Sequence, residues 1–318
     1  MPKDLVLGID TSNYTSSVAL ADAARDVAAD LREQLPVKRG LRGLRQSEAF
    51  FRHVDRLPAL AGALLRTHRD RIGAVAVSEK PRPVAGAYMP VFRAGLRLAA
   101  LLADALGAPL FCFSHQEGHI RAALHGTELR RGEAFLAWQI SGGTSELLLA
   151  EDGGARLSII GGGKDISFGQ LLDRVGVALG MDFPAGAALD ALATAAEADA
   201  QGGAGLARIP ADGFFFNLSG METQCLRAVR GGADARVLSR AIFENIADCL
   251  LGIGAEAARR YGAREMLFAG GVSASIFLRR RIAAAARGAG PAPVFGDAAL
   301  CGDNAVGIAL LGAEKLWP

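Results

Sequence analysis

The chain has 318 residues, of which 51% are hydrophobic and 21% charged, and its formal net charge is +2 at pH 7. This length accommodates about two domains, and the apolar content excludes global disorder. A charge so close to neutral predicts neither a nucleic acid nor a membrane as partner. The first residues lack a signal peptide, and no run of about 18 apolar residues is without a charge, so we expect a cytoplasmic protein without membrane contact. The four cysteines form no C-x-x-C pair, which predicts buried thiols.

Two β-hairpins are predicted, each of which opens one half of the chain. An apolar strand at residues 5–10 ends in Asp10 and is followed by a hydroxyl-rich turn at 11–17. The same pattern returns at the strand 135–140 and the turn 141–145. Turns of this kind offer backbone N–H groups and hydroxyls to a phosphate, although most of them are only turns. Their repetition favours an internal duplication with two phosphate-facing loops across a cleft.

Between the hairpins, residues 46–65 show helical spacing, and Pro58 is expected to bend or restart that helix. A strand is predicted at 74–77 and a helix at 91–106. A basic run leads into the first helix: Lys38, Arg39, Arg42, Arg45, Arg52 and Arg56. This run is either a solvated surface or a contact for a polyanion.

A histidine pair follows the apolar strand at 108–113. Ser114 and Glu117 form a capping box that predicts a helix start. His115 and His119 are then four residues apart on one helix face, with Cβ atoms about 5–6 Å apart. They can bind one divalent metal if a carboxylate from elsewhere completes the site; the alternative is a chance pair beside a cap. Gln116 stands where a zincin has glutamate, which disfavours a metalloprotease.

Three later segments carry further candidate residues. Asp173 lies among apolar residues of a predicted helix, so its carboxylate requires either a ligand or an arginine partner. A strand at 265–269 ends at Gly270 and Gly271, and a helix after Ser275 completes a platform suited to a nucleotide base. Asp303 precedes a terminal helix at 306–316, where aspartate is a helix cap about as often as a metal ligand.

The residue types of these motifs and their order along the chain resemble those of the universal tRNA threonylcarbamoyladenosine transferase family, formerly called O-sialoglycoprotein endopeptidases. The likeness is nearly end to end and is carried by residues 8–12, 114–119, 141–143, 173–175, 184–186, 219–220, 270–274 and 302–304. It implies an α/β fold of actin-like ATPase (ASKHA) architecture, with two ribonuclease-H-like domains around a nucleotide cleft. Residues 1–128 plus 296–318 are expected to form the first domain, which carries the metal site, and residues 129–295 the second.

The resemblance also implies roles for individual residues. An iron or zinc ion would be bound by His115, His119 and Asp303. Asp10 or Asp173 is expected to act in catalysis, by orienting or deprotonating the attacking amine. Contacts with nucleotide and substrate are expected from Ser141, Gly142, Gly143, Thr144, Gly186, Gly270, Gly271 and Ser275.

The implied activity is a metal-dependent transfer of a threonylcarbamoyl group from its adenylate to adenine of tRNA. ATP or threonylcarbamoyl-AMP is the expected ligand, Mg²⁺ can accompany the nucleotide, and tRNA, a paralogous actin-like protein and a small ATPase are the expected partners. Some loops depart from the family pattern, which has a histidine at Thr144, a lysine at Glu222, an asparagine at Ser275 and Cys-Asp-Asp at residues 13–15. These departures leave two alternatives open. One is a catalytically altered nucleotide- and metal-binding paralogue that regulates or scaffolds the true transferase; the other is a small-molecule carbamoyltransferase or ATPase.

Overall fold

The computed structural model describes residues 2–12, 14–38, 40–41, 43–129, 132–196, 205–285 and 290–318. The chain divides into two units, of which the first comprises Met1–Pro36, Leu44–His125 and Asp303–Pro318 and the second comprises Val37–Gly43 and Gly126–Gly302. These divisions lie a few residues from the domain boundaries expected after 128 and 295, which stay a prediction. Within the described residues, no helix combines the length and the apolar composition needed to cross a membrane.

The first unit contains one sheet, whose strands alternate with helices after an opening meander. Its elements up to residue 124 are β1 Leu5–Asp10, β2 Thr15–Asp22, β3 Val27–Gln34, α1 Gln46–His68, β4 Ile72–Lys80, α2 Phe92–Leu106, β5 Leu110–Ser114 and α3 His115–Leu124. The strand order is β3-β2-β1-β4-β5, antiparallel from β1 to β3 and parallel from β1 to β5. The central strand β1 is buried along its whole length, which explains its nearly continuous apolar sequence.

Two expectations are each wrong in part. Of the bend or restart expected at Pro58, the restart does not occur, because α1 continues through this residue as one helix of 23 residues. Leu57, Ala61 and Leu64 on its buried face pack into the core of the unit, and this packing offsets the local cost of proline, about 3 kcal/mol. Cys112 is exposed, because β5 is an edge strand and successive side chains point to opposite faces.

The second unit repeats the connectivity of the first. Its elements are β6 Phe135–Ile140, β7 Ser145–Glu151, β8 Arg156–Gly163, α4 Phe168–Ala178, α5 Gly186–Ala195, β9 Ala211–Asp212, β10 Phe215–Phe216, α6 Ser219–Arg230, α7 Ala235–Tyr261, β11 Glu265–Ala269, α8 Ile276–Ala285 and β12 Ala292–Phe295. The strand order is β12-β11-β6-β7-β8-β10-β9. Strand β6 takes the place that β1 has in the first sheet. The antiparallel strands β7 and β8 lie on one side of it, and the parallel strands β11 and β12 lie on the other. This repetition is the internal duplication that the two hairpins predict.

The last helix, α9 Val306–Leu316, belongs to the first unit and packs on β1, β4 and α3. Its contact with α3 depends on a close approach of two glycines. A Cβ atom on Gly307 would lie only 1.8 Å from the carbonyl oxygen of Gly118. Any larger residue at 307 would force the two helices apart, so glycine at this position sets how close α9 lies to α3.

Candidate metal centre and ligand cavity

The first candidate site begins at the N-terminus of α3. Glu117 donates its backbone N–H to the hydroxyl oxygen of Ser114 at 3.2 Å and accepts the N–H of Ser114 on its carboxylate at 2.6 Å. The predicted capping box is therefore present. It starts the helix directly after β5, so that His115 and His119 share one face with ring centroids 4.3 Å apart. The local sequence is sufficient to pair the two imidazoles.

Asp303 reaches these histidines through the packing of α9 on α3. Its Oδ1 atom lies 3.5 Å from Nε2 of His115 and 3.4 Å from Nε2 of His119. The capping role that the sequence leaves open for Asp303 is taken by the next residue, since Oδ1 of Asn304 accepts the N–H of Val306 at 2.9 Å. The carboxylate of Asp303 is directed at the histidines instead.

The three side chains fit a divalent cation. Tetrahedral coordination at about 2.0–2.1 Å separates ligand atoms by about 3.3–3.4 Å, which agrees with the 3.4 and 3.5 Å measured around Asp303. Nε2 of His119 is buried and, apart from its 3.4 Å approach to Asp303, makes no hydrogen bond within the described residues. Such an atom is costly unless a ligand satisfies it. Two imidazoles and one carboxylate also leave coordination positions open for a substrate.

Burial and charge shift the pKa values of this cluster in opposite directions. Burial by itself lowers the pKa of His115, but the carboxylates of Asp10 and Asp303 outweigh it and raise this pKa to about 10. Burial and the charge of His115 lower the pKa of His119. Burial alone would raise the pKa of Asp303, but the two histidines hold it well below its usual range. The cluster thus offers an ionised carboxylate and a neutral imidazole, and His115 must release a proton when it binds a cation.

Asp10, at the end of β1, lies fully buried beside the cluster. Its Oδ1 is 3.0 Å from Nδ1 of His115 and accepts the hydroxyl of Ser78. Its Oδ2 accepts the N–H of Ser12 at 3.1 Å and the hydroxyl of Ser12 at 2.6 Å. Burial would raise the pKa of Asp10, but His115 and Ser12 hold it below its usual value. Asp10 is therefore an ionised acceptor, and its predicted catalytic role stays a prediction.

The second candidate site is a cavity of about 300 Å³ within the second unit. Its lining joins residues that the sequence analysis selects from separate segments: Gly142, Asp173, Gly186, Gly271 and Ser275. The other residues selected for the nucleotide adjoin these in the chain but do not line the cavity: Ser141, Gly143, Thr144 and Gly270. The volume is at the lower end of what small-molecule sites have, about 300–1,000 Å³.

The loop between β6 and β7 is held against the N-terminus of α4. The hydroxyl of Ser167, the N-cap of α4, donates to the carbonyl oxygen of Gly142 at 2.8 Å. Ser145 Oγ accepts the N–H of Phe168, the first residue of the helix, at 2.8 Å. A Cβ on Gly169, also a cavity residue, would lie 2.5 Å from the carbonyl oxygen of the residue before Gly142. Glycine at 169 is therefore what lets the loop lie so close to the helix.

The same loop presents open space on its other side. The N–H groups of Gly143 and Thr144 are directed at Ser141 Oγ, at 3.3 and 3.1 Å. An anion bound to these two amides would have to replace the serine hydroxyl. A Cβ on Gly142 or Gly143 would meet no atom within 4 Å, so a ligand can approach the backbone there. The predicted phosphate-binding role of this loop stays a prediction.

Asp173 is partly buried on α4 and accepts the N–H of Ala185 on Oδ1 at 2.8 Å. The arginine that follows it, Arg174, pairs with Glu222 at 2.9 Å. Burial raises the pKa of Asp173, and the backbone N–H groups of Ala185 and Gly186 only partly offset that effect. A carboxylate with a raised pKa in a cavity is a candidate for proton transfer.

Sequence reasoning misses Asp190, which lines the same cavity. Its carboxylate accepts the N–H groups of Ile276 and Phe277 at 2.9 and 3.1 Å and also the hydroxyl of Ser275. Asp190 and Ser275 together cap α8 at the cavity wall. The available signal is the one charged residue in the mainly apolar sequence of α5, since a buried carboxylate requires polar partners.

Part of the predicted basic run, Arg39 and Arg42, lies outside the described residues. Arg52 pairs with Glu48 at 2.6 Å, and Arg56 pairs with Glu33. Ion pairs of this kind are what a solvated surface shows. A polyanion contact for the run stays a prediction.

Solved structures with this fold include proteins with a bound nucleotide analogue. The activator of 2-hydroxyisocaproyl-CoA dehydratase from Clostridium difficile, with bound ADPNP, is 15% identical with a TM-score of 0.58, and the match covers 98% of this chain and 95% of that one. A ROK family glucokinase from Streptomyces griseus is 14% identical with a TM-score of 0.52, covering 96% and 98%. At this identity the likeness concerns the fold alone, and it confirms the predicted actin-like ATPase architecture.

Sequence relatives are closer. A tRNA N6-adenosine threonylcarbamoyltransferase of Thiobacillus denitrificans is 31% identical over 98% of this chain and 91% of its own length. The enzyme of the same name from Geobacter sulfurreducens is 32% identical over 97% and 91%. The family described as TsaD, tRNA N6-adenosine threonylcarbamoyltransferase, matches residues 38–310. The chain therefore belongs to the tRNA N6-adenosine threonylcarbamoyltransferase family.

Proposed function

We propose that this protein transfers a threonylcarbamoyl group from threonylcarbamoyl-adenylate to N6 of an adenine in tRNA, with a divalent metal bound by His115, His119 and Asp303. Family membership supports the reaction. The observation that carries the metal dependence is the cluster itself: two imidazole nitrogens lie 3.4 and 3.5 Å from one carboxylate oxygen, and the nearer, on His119, is buried and makes no other hydrogen bond within the described residues. Two histidines and one carboxylate suit iron or zinc.

The proposed reaction is an acyl transfer to a weakly nucleophilic amine. The N6 nitrogen bonds to the carbamoyl carbon, the bond from this carbon to a phosphate oxygen breaks, and AMP leaves while N6 loses one proton. Asp173 is our candidate for accepting that proton, because its carboxylate lines the cavity and burial raises its pKa. A bound metal would supply Lewis-acid stabilisation to an oxygen that gains negative charge.

The cavity of the second unit is our proposed site for the adenylate. Gly142, Gly186 and Gly271 in its wall have no atom within 4 Å of an added Cβ, so the backbone can contact a nucleotide closely. Asp190 and Ser275 are engaged in capping α8. Recognition of the nucleotide would accordingly come from backbone groups and from Asp173.

Family membership along nearly the whole chain does not favour the alternatives of a scaffolding paralogue or a small-molecule carbamoyltransferase. The departures at Thr144 and Ser275 would then change contacts with the substrate without abolishing the reaction. A paralogous actin-like protein and a small ATPase belong to the proposal as partners, and tRNA belongs to it as substrate.

The test is transfer from synthetic threonylcarbamoyl-adenylate to an adenine-containing tRNA transcript by the metal-loaded protein, with and without partner proteins. The modified nucleoside is quantified by mass spectrometry after digestion of the tRNA. We expect product with wild type, a rate at least about 100-fold lower with Asp173→Asn, and none with His119→Ala. Absence of product from wild type in every combination contradicts the proposed reaction, whereas full activity of His119→Ala contradicts only its metal dependence.

A further inference from the structure

Asp10 receives hydrogen bonds from three separate segments of the first unit. Ser12 follows it in the turn after β1, Ser78 lies on β4, and His115 opens α3. An ionised carboxylate offers about four acceptor positions, and the two groups of Ser12, the hydroxyl of Ser78 and the His115 ring fill them. Asp10 is 0% exposed. A carboxylate so enclosed has no acceptor position left for a further ligand.

The contact with His115 determines which ring nitrogen is directed away from the core. Oδ1 of Asp10 already accepts the hydroxyl of Ser78, and Nδ1 of His115 lies 3.0 Å from the same oxygen, so Nδ1 is the donor in this contact. Nε2 of the same ring then lies toward Asp303, at 3.5 Å. Histidines that bind metals generally donate their second ring N–H to a carboxylate or carbonyl, and this bond fixes the tautomer and the ring orientation.

We infer that Asp10 is a positioning residue, which holds the His115 ring so that Nε2 is the nitrogen offered to the metal. The inference rests on the metal site proposed above, and it replaces the catalytic role of Asp10 with a structural one. Ser12 and Ser78 take part by fixing the carboxylate itself. His119 lies on the same helix face, so a misplaced His115 ring would leave the metal with two ligands in place of three.

Asp10→Asn removes the carboxylate that fixes the tautomer and orientation of the His115 ring, and it leaves the size of the side chain nearly unchanged. An asparagine that keeps its oxygen toward His115 must direct its NH₂ group at the N–H of Ser12, which places two donors face to face. The opposite orientation directs the NH₂ at Nδ1 and favours the tautomer that carries its proton on Nε2. Both arrangements weaken metal binding, by about 10–100-fold for the loss of such a partner.

The measurement is the dissociation constant for Zn²⁺, obtained by competition with a chromophoric chelator on the full chain. Asp165→Asn is the matched control, because Asp165 is a carboxylate of the second unit that accepts the N–H groups of Leu218 and Ser219 at 2.9 Å. We expect Asp165→Asn to bind Zn²⁺ like wild type and Asp10→Asn to bind it about 10–100-fold more weakly. Equal affinity of Asp10→Asn and wild type overturns the inference. If wild type itself binds no Zn²⁺, the proposed metal site fails instead.

A second measurement does not depend on the folding of a variant. Nitrogen-15 NMR of the Zn²⁺-loaded wild type reports which imidazole nitrogen carries the proton. We expect His115 to be protonated on Nδ1 and to bind the ion through Nε2. A His115 ring that binds Zn²⁺ through Nδ1 overturns the inference even if Asp10→Asn does not fold.

Discussion

Replacement of Gly169 by alanine should displace the loop between β6 and β7 from the start of α4. The added Cβ would lie 2.5 Å from the carbonyl oxygen of Ser141 and 2.6 and 2.8 Å from backbone atoms of Gly142. Backbone cannot rotate away as a side chain can, so the loop must move as a whole. Overpacking of this kind costs about 1–3 kcal/mol, and the better helix propensity of alanine offsets up to about 1 kcal/mol. Because all three close contacts are with backbone, we take the upper part of that range, about 2–3 kcal/mol, and expect Gly169→Ala to lower the free energy of unfolding by about 1–2 kcal/mol after the propensity offset.

Urea denaturation of the two proteins, with fluorescence and circular dichroism as probes, measures this difference. Gly143→Ala is the control, because its Cβ meets nothing within 4 Å, and its unfolding should match wild type. Adenine nucleotide affinity, measured by calorimetry, should also fall in Gly169→Ala, since Gly142 and Gly169 both line the cavity. A Gly169→Ala protein that is as stable as wild type or more stable would refute the reasoning, because helix propensity would then be the only effect.

Three further predictions concern the two sites and one carboxylate of the second unit. His119→Ala should abolish bound metal and Asp303→Ala should weaken it strongly, since a three-ligand site loses charge and geometry; metal analysis of purified protein decides this, and equal metal content in wild type and His119→Ala would contradict it. Gly143→Val should abolish ATP or adenylate binding in calorimetry without changing the unfolding midpoint, because its side chain would fill the open space through which a ligand can approach the backbone of this loop. Asp165→Ala should cost about 1 kcal/mol at pH 7 through loss of its hydrogen bonds to the N–H groups of Leu218 and Ser219. Burial would raise the pKa of Asp165, but backbone N–H groups lower it to about 2. Ionisation of Asp165 therefore stabilises the fold fully above about pH 4, the pKa of aspartate in the unfolded chain. The difference in free energy of unfolding between wild type and Asp165→Ala should narrow as the pH falls towards 2. The urea midpoints of both proteins at several pH values test this prediction. A difference between the two midpoints that widens below pH 4 would contradict the lowered pKa of Asp165.

Features that depend on neighbouring residues are predictable from the sequence. The capping box of Ser114 and Glu117 is present, and it places His115 and His119 on one helix face. The two hairpins occur at β1–β2 and β6–β7, and their repetition correctly predicts two units of one connectivity. Each of these signals lies within a few residues of the structure it specifies, so the backbone conformation follows from local hydrogen bonding and side-chain periodicity.

Local sequence signals fail where packing between distant segments determines the conformation or the partner of a residue. Pro58 has the sequence character of a helix break, yet the buried face of α1 keeps the helix continuous. Asp190 has no local motif, and its partner Ser275 is 85 residues away. Its capping of α8 exists only because α5 and α8 pack together.

The metal centre shows the same division. The sequence by itself determined that the two histidines form a pair, and it left Asp303 equally able to cap a helix or bind a metal. The tertiary structure decided between these roles, because Gly118 and Gly307 let α9 pack directly on α3 and so direct the carboxylate at the rings. It also placed Asp10 against Nδ1 of His115 across 105 residues of chain. Such contacts depend on how helices and strands pack rather than on residue spacing, and only the folded chain defines that packing.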